Sequence, residues 1–259
     1  MPRNLLLISN STLHGSKYLD HCEPQIKEFL GETKEVVFVP YARPGGISYD
    51  DYTALARARL ELMGYKVRGI QEFDSPQEAI RSASALFVGG GNTFQLLQSL
   101  YKRNLRTLIC KRIFSEGLKY IGTSAGANVA GEKIHTTNDM PALQPPSFRA
   151  LGLVPFFINP HYQDPISLTP EKMEAVLAIA PELESILKHQ GETRPARIKE
   201  VLALNDYVKT VVALREGAML EVTGNRLRLL GRTSAKIFKR NQEPTEHFPG
   251  ESLDFLLTS

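Results

Sequence analysis

Short apolar runs rich in β-branched residues alternate with longer helical periodicities from the N-terminus to about residue 160. The runs at 5–9, 36–40, 66–70, 85–88, 120–122 and 156–159 have strand length, whereas 50–63, 76–83 and 105–116 carry the spacing of amphipathic helices. Alternation of this kind predicts an α/β fold, a mostly parallel sheet flanked by helices. After residue 200 the rhythm tightens into runs at 201–204, 211–214, 218–222 and 226–230, with Gly224-Asn225 as a tight turn. These predict antiparallel strands added to the same sheet near the C-terminus.

Between the two regions, 165–190 reads as a helical insertion in which Thr169 caps a helix opened by Pro170 and Pro181 interrupts it. Residues 241–259, with two prolines, Gly250 and several acids, read as a loosely held C-terminal extension. The expectation is a single catalytic domain over 1–259.

Composition narrows the class. The chain has 259 residues, 42% hydrophobic and 23% charged, enough to bury one large core. A net charge of +3, with both signs interleaved, is too small and mixed for a nucleic-acid footprint, so a small-molecule partner is expected. The apolar run after Asn4 is too short for a signal sequence, and no stretch approaches the roughly 18 apolar residues of a membrane span. The expectation is a cytoplasmic protein with no membrane partner. Two cysteines, Cys22 and Cys110, lack a CxxC or His-rich companion and predict free thiols, with no disulfide framework and no metal site.

Two glycine clusters carry candidate chemistry. Gly122-Thr123-Ser124-Ala125-Gly126 is a G-x-S-x-G motif that follows a short strand and precedes a plausible helix, the pattern of a nucleophile elbow. Chance alone gives roughly 0.1 such matches in a chain of this length, so the motif is only moderately specific. The second cluster, Gly89-Gly90-Gly91-Asn92, also follows a strand, but lacks both the dinucleotide and the P-loop signature. It suits half of an oxyanion hole, with an amide near Gly91 joining that of Ala125.

A serine nucleophile needs a base, usually histidine. Of six histidines, His161 stands just after a predicted strand, where the carboxyl edge of the sheet also places Ser124. His14, His21, His135, His189 and His247 read as solvated loop or surface residues. The carboxylate that orients the base is Asp139 or Glu216; sequence spacing leaves both open.

Taken together, Leu7 through Thr12, VGGGNTFQLL from Val88, IGTSAGAN from Ile121, TTNDMP from Thr136, INPHY from Ile158 and GETR from Gly191 resemble peptidase E, the α-aspartyl dipeptidase family. The likeness covers most of residues 4–240 in unchanged order. It implies a sheet related to class I glutamine amidotransferases and flavodoxin-like folds, and hydrolysis of Asp-Xaa dipeptides without metal or cofactor. By position, Ser124 matches the family nucleophile and His161 the base, while Asp139 and Glu216 both match positions proposed for the acid.

Selectivity for an N-terminal aspartate needs a cation for its β-carboxylate and an acid for its ammonium group, for which Arg194 and Glu192 are the candidates. Asn92 joins them as a candidate substrate contact. The insertion looks longer than in the family and is a candidate lid or oligomer contact, a homodimer being the candidate assembly. Two other readings stand beside this one: a cyanophycinase-like hydrolase of aspartate polymers or isopeptides, and a catalytically silent metabolite-binding module.

Overall fold

The computed structural model describes residues 3–43, 45–188 and 191–258. Its strands are β1 (Asn4–Ile8), β2 (Glu35–Val39), β3 (Lys66–Gly69), β4 (Ala85–Val88), β5 (Lys119–Thr123), β6 (Phe157–Tyr162), β7 (Thr210–Arg215), β8 (Ala218–Thr223), β9 (Arg226–Gly231), β10 (Ala235–Lys239) and β11 (Thr245–His247). The helices are α1 (Glu23–Leu30), α2 (Tyr49–Leu62), α3 (Pro76–Ser82), α4 (Thr93–Lys102), α5 (Arg106–Glu116), α6 (Ala125–Asn128), α7 (Pro170–Ile179), α8 (Glu184–Lys188) and α9 (Arg194–Leu204). Among the described residues no helix is long and apolar enough to cross a membrane.

The main sheet has the order β3-β2-β4-β5-β1-β8-β9. Its first five strands are parallel; β8 adds antiparallel to β1, and β9 adds antiparallel to β8. Both faces are covered, as continuous apolar strands require. Leu5 and Leu7 of β1 enter one core with Val37, Val39, Leu86 and Tyr120. Leu6 and Ile8 enter the other with Val36, Phe38, Phe87 and Ile121. The period of two along each strand thus feeds two separate helix layers.

A second sheet, β11-β10-β7-β6, was not foreseen. The run at 211–214 becomes β7, parallel to β6 and not part of the main sheet. The expected strand at 201–204 is instead the last turn of α9, whose Ile198 and Leu202, one helical step apart, are buried against Phe157, Val211 and Phe238. Four apolar residues fit either period, and here the neighbours decide.

Between β6 and α9, Thr169 Oγ1 accepts from the Lys172 amide at 3.4 Å, and Pro181 starts a new 3-10 turn before α8. None of the described residues in α7, that turn or α8 is buried. The tail is not loose. Thr245–His247 pairs with β10, Leu253 and Leu256 are buried in the core, and Asp254 accepts from the Leu227 amide at 2.6 Å.

The expectation of solvated histidines fails at His21. Its side chain is buried at 3% exposure. His14 is exposed, His135 contacts the Tyr207 hydroxyl at 2.6 Å, His247 lies beside Glu251, and His189 lies outside the described residues. Burial, helped by Arg232, holds the His21 imidazole below its ordinary pKa, against opposing pulls from the Asn10 backbone, Glu216 and Asp20. A histidine kept neutral in the fold but free to charge when unfolded stabilises fully above the unfolded pKa and loses that contribution as pH falls below it. The urea midpoint is therefore expected to drop between pH 7.5 and 5.5, and to drop less in His21→Leu. An equal drop in both proteins would remove His21 from the account.

Candidate active site

β5 ends at Thr123 and α6 begins at Ala125, leaving Ser124 alone at the corner with φ 52° and ψ −109°. A non-glycine residue in that region is strained, and the surrounding contacts must hold it there. The Ser124 amide donates to Ile8 O at 3.0 Å, and its carbonyl accepts from Asn128 at 2.9 Å. The flanking glycines are required by close approach. A Cβ on Gly122 would stand 2.4 Å from Gly126 O, and one on Gly126 would stand 2.2 Å from Val88 O. The turn therefore has the strand–turn–helix form of a nucleophile elbow.

His161 lies in β6 where the register with β7 shifts between Asn159 and Tyr162, and its φ is 54°. That irregularity turns the imidazole toward the elbow: Nε2 is 2.9 Å from Ser124 Oγ. On the other side Nδ1 is 2.7 Å from Glu216 Oε1. All three residues are partly exposed, so the cluster is open to a ligand.

Glu216 follows β7, and its turn is fixed by two contacts: Thr233 Oγ1 donates to its carbonyl at 2.8 Å, and the Gly217 amide donates to Asn10 Oδ1 at 2.8 Å. Buried Ser9 joins the sheets, since its hydroxyl donates to Leu214 O and accepts from the His161 amide, each at 2.9 Å. Ser9 and Asn10 were missed as positioning residues. The available signal was a polar pair directly after an apolar strand, at the edge where the elbow was placed.

The other acid candidate is engaged elsewhere. Asp139 Oδ2 accepts from the Thr93 amide at 2.7 Å and from Thr137 Oγ1 at 3.0 Å, so its carboxylate holds the start of α4. The same segment braces the histidine strand: Thr136 Oγ1 donates to Ile158 O, and Asn138 Nδ2 donates to Pro160 O, both at 2.7 Å.

Asn92 is likewise occupied, with Oδ1 accepting from the Gln95 amide at 3.0 Å and Nδ2 donating to Met140 O at 3.1 Å. Its side chain caps α4 and is not free for a substrate. Gly90 packs beside Ser124, 2.9 Å from its Cβ for an added Cβ. Among the described residues the amides of Gly90, Gly91 and Ala125 have no acceptor.

Glu192 and Arg194 part company. Glu192 pairs with Arg197 at 2.8 Å, which takes up the carboxylate foreseen for a substrate amine. Arg194 has no ion-pair partner among the described residues; burial and Arg197 lower its pKa, with Asp139 opposing them. It borders a cavity of about 410 Å³ with Gln163, Pro165, Ile186 and Glu192. Among the described residues, no cluster of three His, Cys, Asp or Glu is arranged to hold a metal ion.

Residues 5–230 match the model of peptidase family S51. A Drosophila melanogaster protein named "probable alpha-aspartyl dipeptidase" is 44% identical over 257 residues, 98% of each chain. Peptidase E of Streptomyces coelicolor is 43% identical, covering 98% of this chain and 95% of its own. The crystal structure of a peptidase from an acI-B1 Actinobacterium has the same fold, with a TM-score of 0.67 at 17% identity over 98% of this chain and 97% of that one. The chain belongs to peptidase family S51, and it is a hydrolase with the peptidase E fold.

Proposed function

We propose that the chain is a serine dipeptidase that releases N-terminal aspartate from Asp-Xaa dipeptides, with Ser124 as nucleophile, His161 as general base and Glu216 as the carboxylate that orients it. The observation carrying this reading is the unbroken relay from Ser124 Oγ to His161 Nε2 at 2.9 Å and from His161 Nδ1 to Glu216 at 2.7 Å. The name of the Drosophila relative supports the aspartyl preference.

In this mechanism Ser124 Oγ attacks the aspartyl carbonyl as His161 takes its proton. The tetrahedral oxyanion lies between the amides of Gly91 and Ala125, each such donor contributing about 3 kcal/mol to the transition state. His161 then protonates the leaving amine, and a water activated by the same imidazole frees aspartate. Glu216 fixes the imidazole tautomer and stabilises its protonated form.

Arg194, with no ion pair among the described residues and Asp139 acting on its charge, is the group we assign to the substrate's β-carboxylate. Arg194→Met is expected to cut kcat/KM for Asp-Leu by about 100-fold, a lost charge-assisted pair of hydrogen bonds, while sparing a neutral activated ester. Equal losses on both substrates would withdraw the assignment.

The uncovered Ile179 and Ile186, at 88% and 58% exposure, support a lid or homodimer contact for the insertion. Two free cysteines fit a reducing cytoplasm. The experiment that tests the function follows amino-acid release from Asp-Leu, Glu-Leu, Ala-Leu and β-Asp-Leu. Rapid cleavage of Asp-Leu alone supports the reading, and preference for the β-linked peptide would replace it with an isopeptidase.

A further inference from the structure

The glycine loop after β4 is tied at both ends and held in the middle by one side chain. The Gly89 amide donates to Val39 O at 3.2 Å and the Asn92 amide donates to Ala42 O at 2.6 Å. Between them, the Gly90 carbonyl accepts from the Tyr52 hydroxyl at 3.1 Å. Tyr52 belongs to the first turn of α2, is fully buried, and packs edge-on against Phe38 with ring centroids 5.0 Å apart.

A trans peptide directs its N–H opposite to its C=O, and the described chain has no cis peptide. With the Gly90 carbonyl drawn back toward Tyr52, the Gly91 N–H points away from that core. Gly90 itself borders Ser124, since an added Cβ would lie 3.5 Å from Oγ. Glycine on both sides of this peptide makes its reversal sterically easy, because glycine takes either sign of φ at little cost. Reversal would present a carbonyl oxygen, not a donor, to the nucleophile.

We propose that Tyr52 is a positioning residue that locks the Gly90–Gly91 peptide with its N–H toward the oxyanion. The proposal rests on the serine-hydrolase reading and assigns the residue that keeps half of its oxyanion hole formed. Burial raises the phenol pKa above its ordinary value, against the opposing influence of Arg43, so the hydroxyl stays a donor through the working pH range. Tyr52 touches neither substrate nor nucleophile; it acts only through the peptide.

The test compares wild type, Tyr52→Phe and Gly89→Ala. A Cβ on Gly89 would lie 2.6 Å from the Tyr52 hydroxyl and displaces the phenol while retaining it. Turnover of Asp-Leu and of a neutral activated ester is measured beside affinity for aspartate and for an aspartyl aldehyde, which forms a tetrahedral adduct on serine.

Both variants are expected to lose about 10- to 100-fold in kcat and in aldehyde affinity, with KM and aspartate affinity nearly unchanged, a part of the effect of deleting an oxyanion donor. Unchanged kcat in a folded Tyr52→Phe, or parallel losses of aldehyde and aspartate affinity, would overturn the proposal while leaving the dipeptidase reading intact. If Tyr52→Phe does not fold, Gly89→Ala decides by the same two readouts. A wild type inert toward both substrates would instead defeat the underlying reading, and the proposal with it.

Discussion

Ser124→Ala should lower kcat for Asp-Leu by about 10⁴- to 10⁶-fold with little change in KM, the range seen when a triad nucleophile is deleted. The substitution removes one oxygen and leaves the corner otherwise intact. Alanine inherits the same φ of 52°, the amide bond to Ile8 O, and the helix that starts at Ala125. The oxygen that is removed bonds to the substrate only as the transition state forms, so ground-state affinity persists. Steady-state release of aspartate measures the loss, and a quenched burst of acyl-enzyme in the wild type shows its origin. A residual rate within 100-fold of wild type would mean that His161 activates water directly and that no acyl-enzyme is required.

The second large effect separates two carboxylates. Glu216→Gln should reduce kcat by about 10³- to 10⁴-fold, because an amide beside Nδ1 stabilises the wrong tautomer and cannot balance the imidazolium. Asp139→Asn should leave kcat within about one order of magnitude. It weakens the anionic cap on α4, which costs about 0.5–2 kcal/mol of stability. Measured side by side, kcat and the denaturation midpoint should move in opposite members of the pair: activity falls in Glu216→Gln and stability in Asp139→Asn. The reverse pattern would transfer the orienting role to Asp139.

The elbow and the glycine loop were legible because both are local: a strand, a few glycines and a helix start, all within a dozen residues. Which carboxylate stands beside His161 was not. Glu216 is 55 residues from His161 and reaches it only because β7 lies parallel to β6 in a sheet that no short-range pattern announces. Asp139 is nearer in sequence, yet its loop is drawn to Thr93 by an amide that needs a cap.

The misread run at 201–204 has the same root, since four apolar residues acquire a period only from what packs on them. The tail was misjudged because two leucines, Leu253 and Leu256, anchor a stretch whose prolines and acids otherwise suggest solvent. Glu192 and Asn92 were chemically plausible but lost their availability to partners close in sequence, Arg197 and the Gln95 amide of α4, once the helices α9 and α4 formed beside them.

Strand β1 waits for β8, more than 200 residues later. β1 sits inside the main sheet between β5 and β8, and Ser9 at its end is clasped by β6 and β7 of the other sheet. During synthesis a ribosome must deliver more than 200 residues before β1 gains its second neighbour or His161 its carboxylate. Such distant closures make folding slow, and on the proposed reading the emerging chain lacks a complete triad until Glu216 is delivered. A chain truncated before Thr210 should therefore be inert however well its N-terminal half is formed.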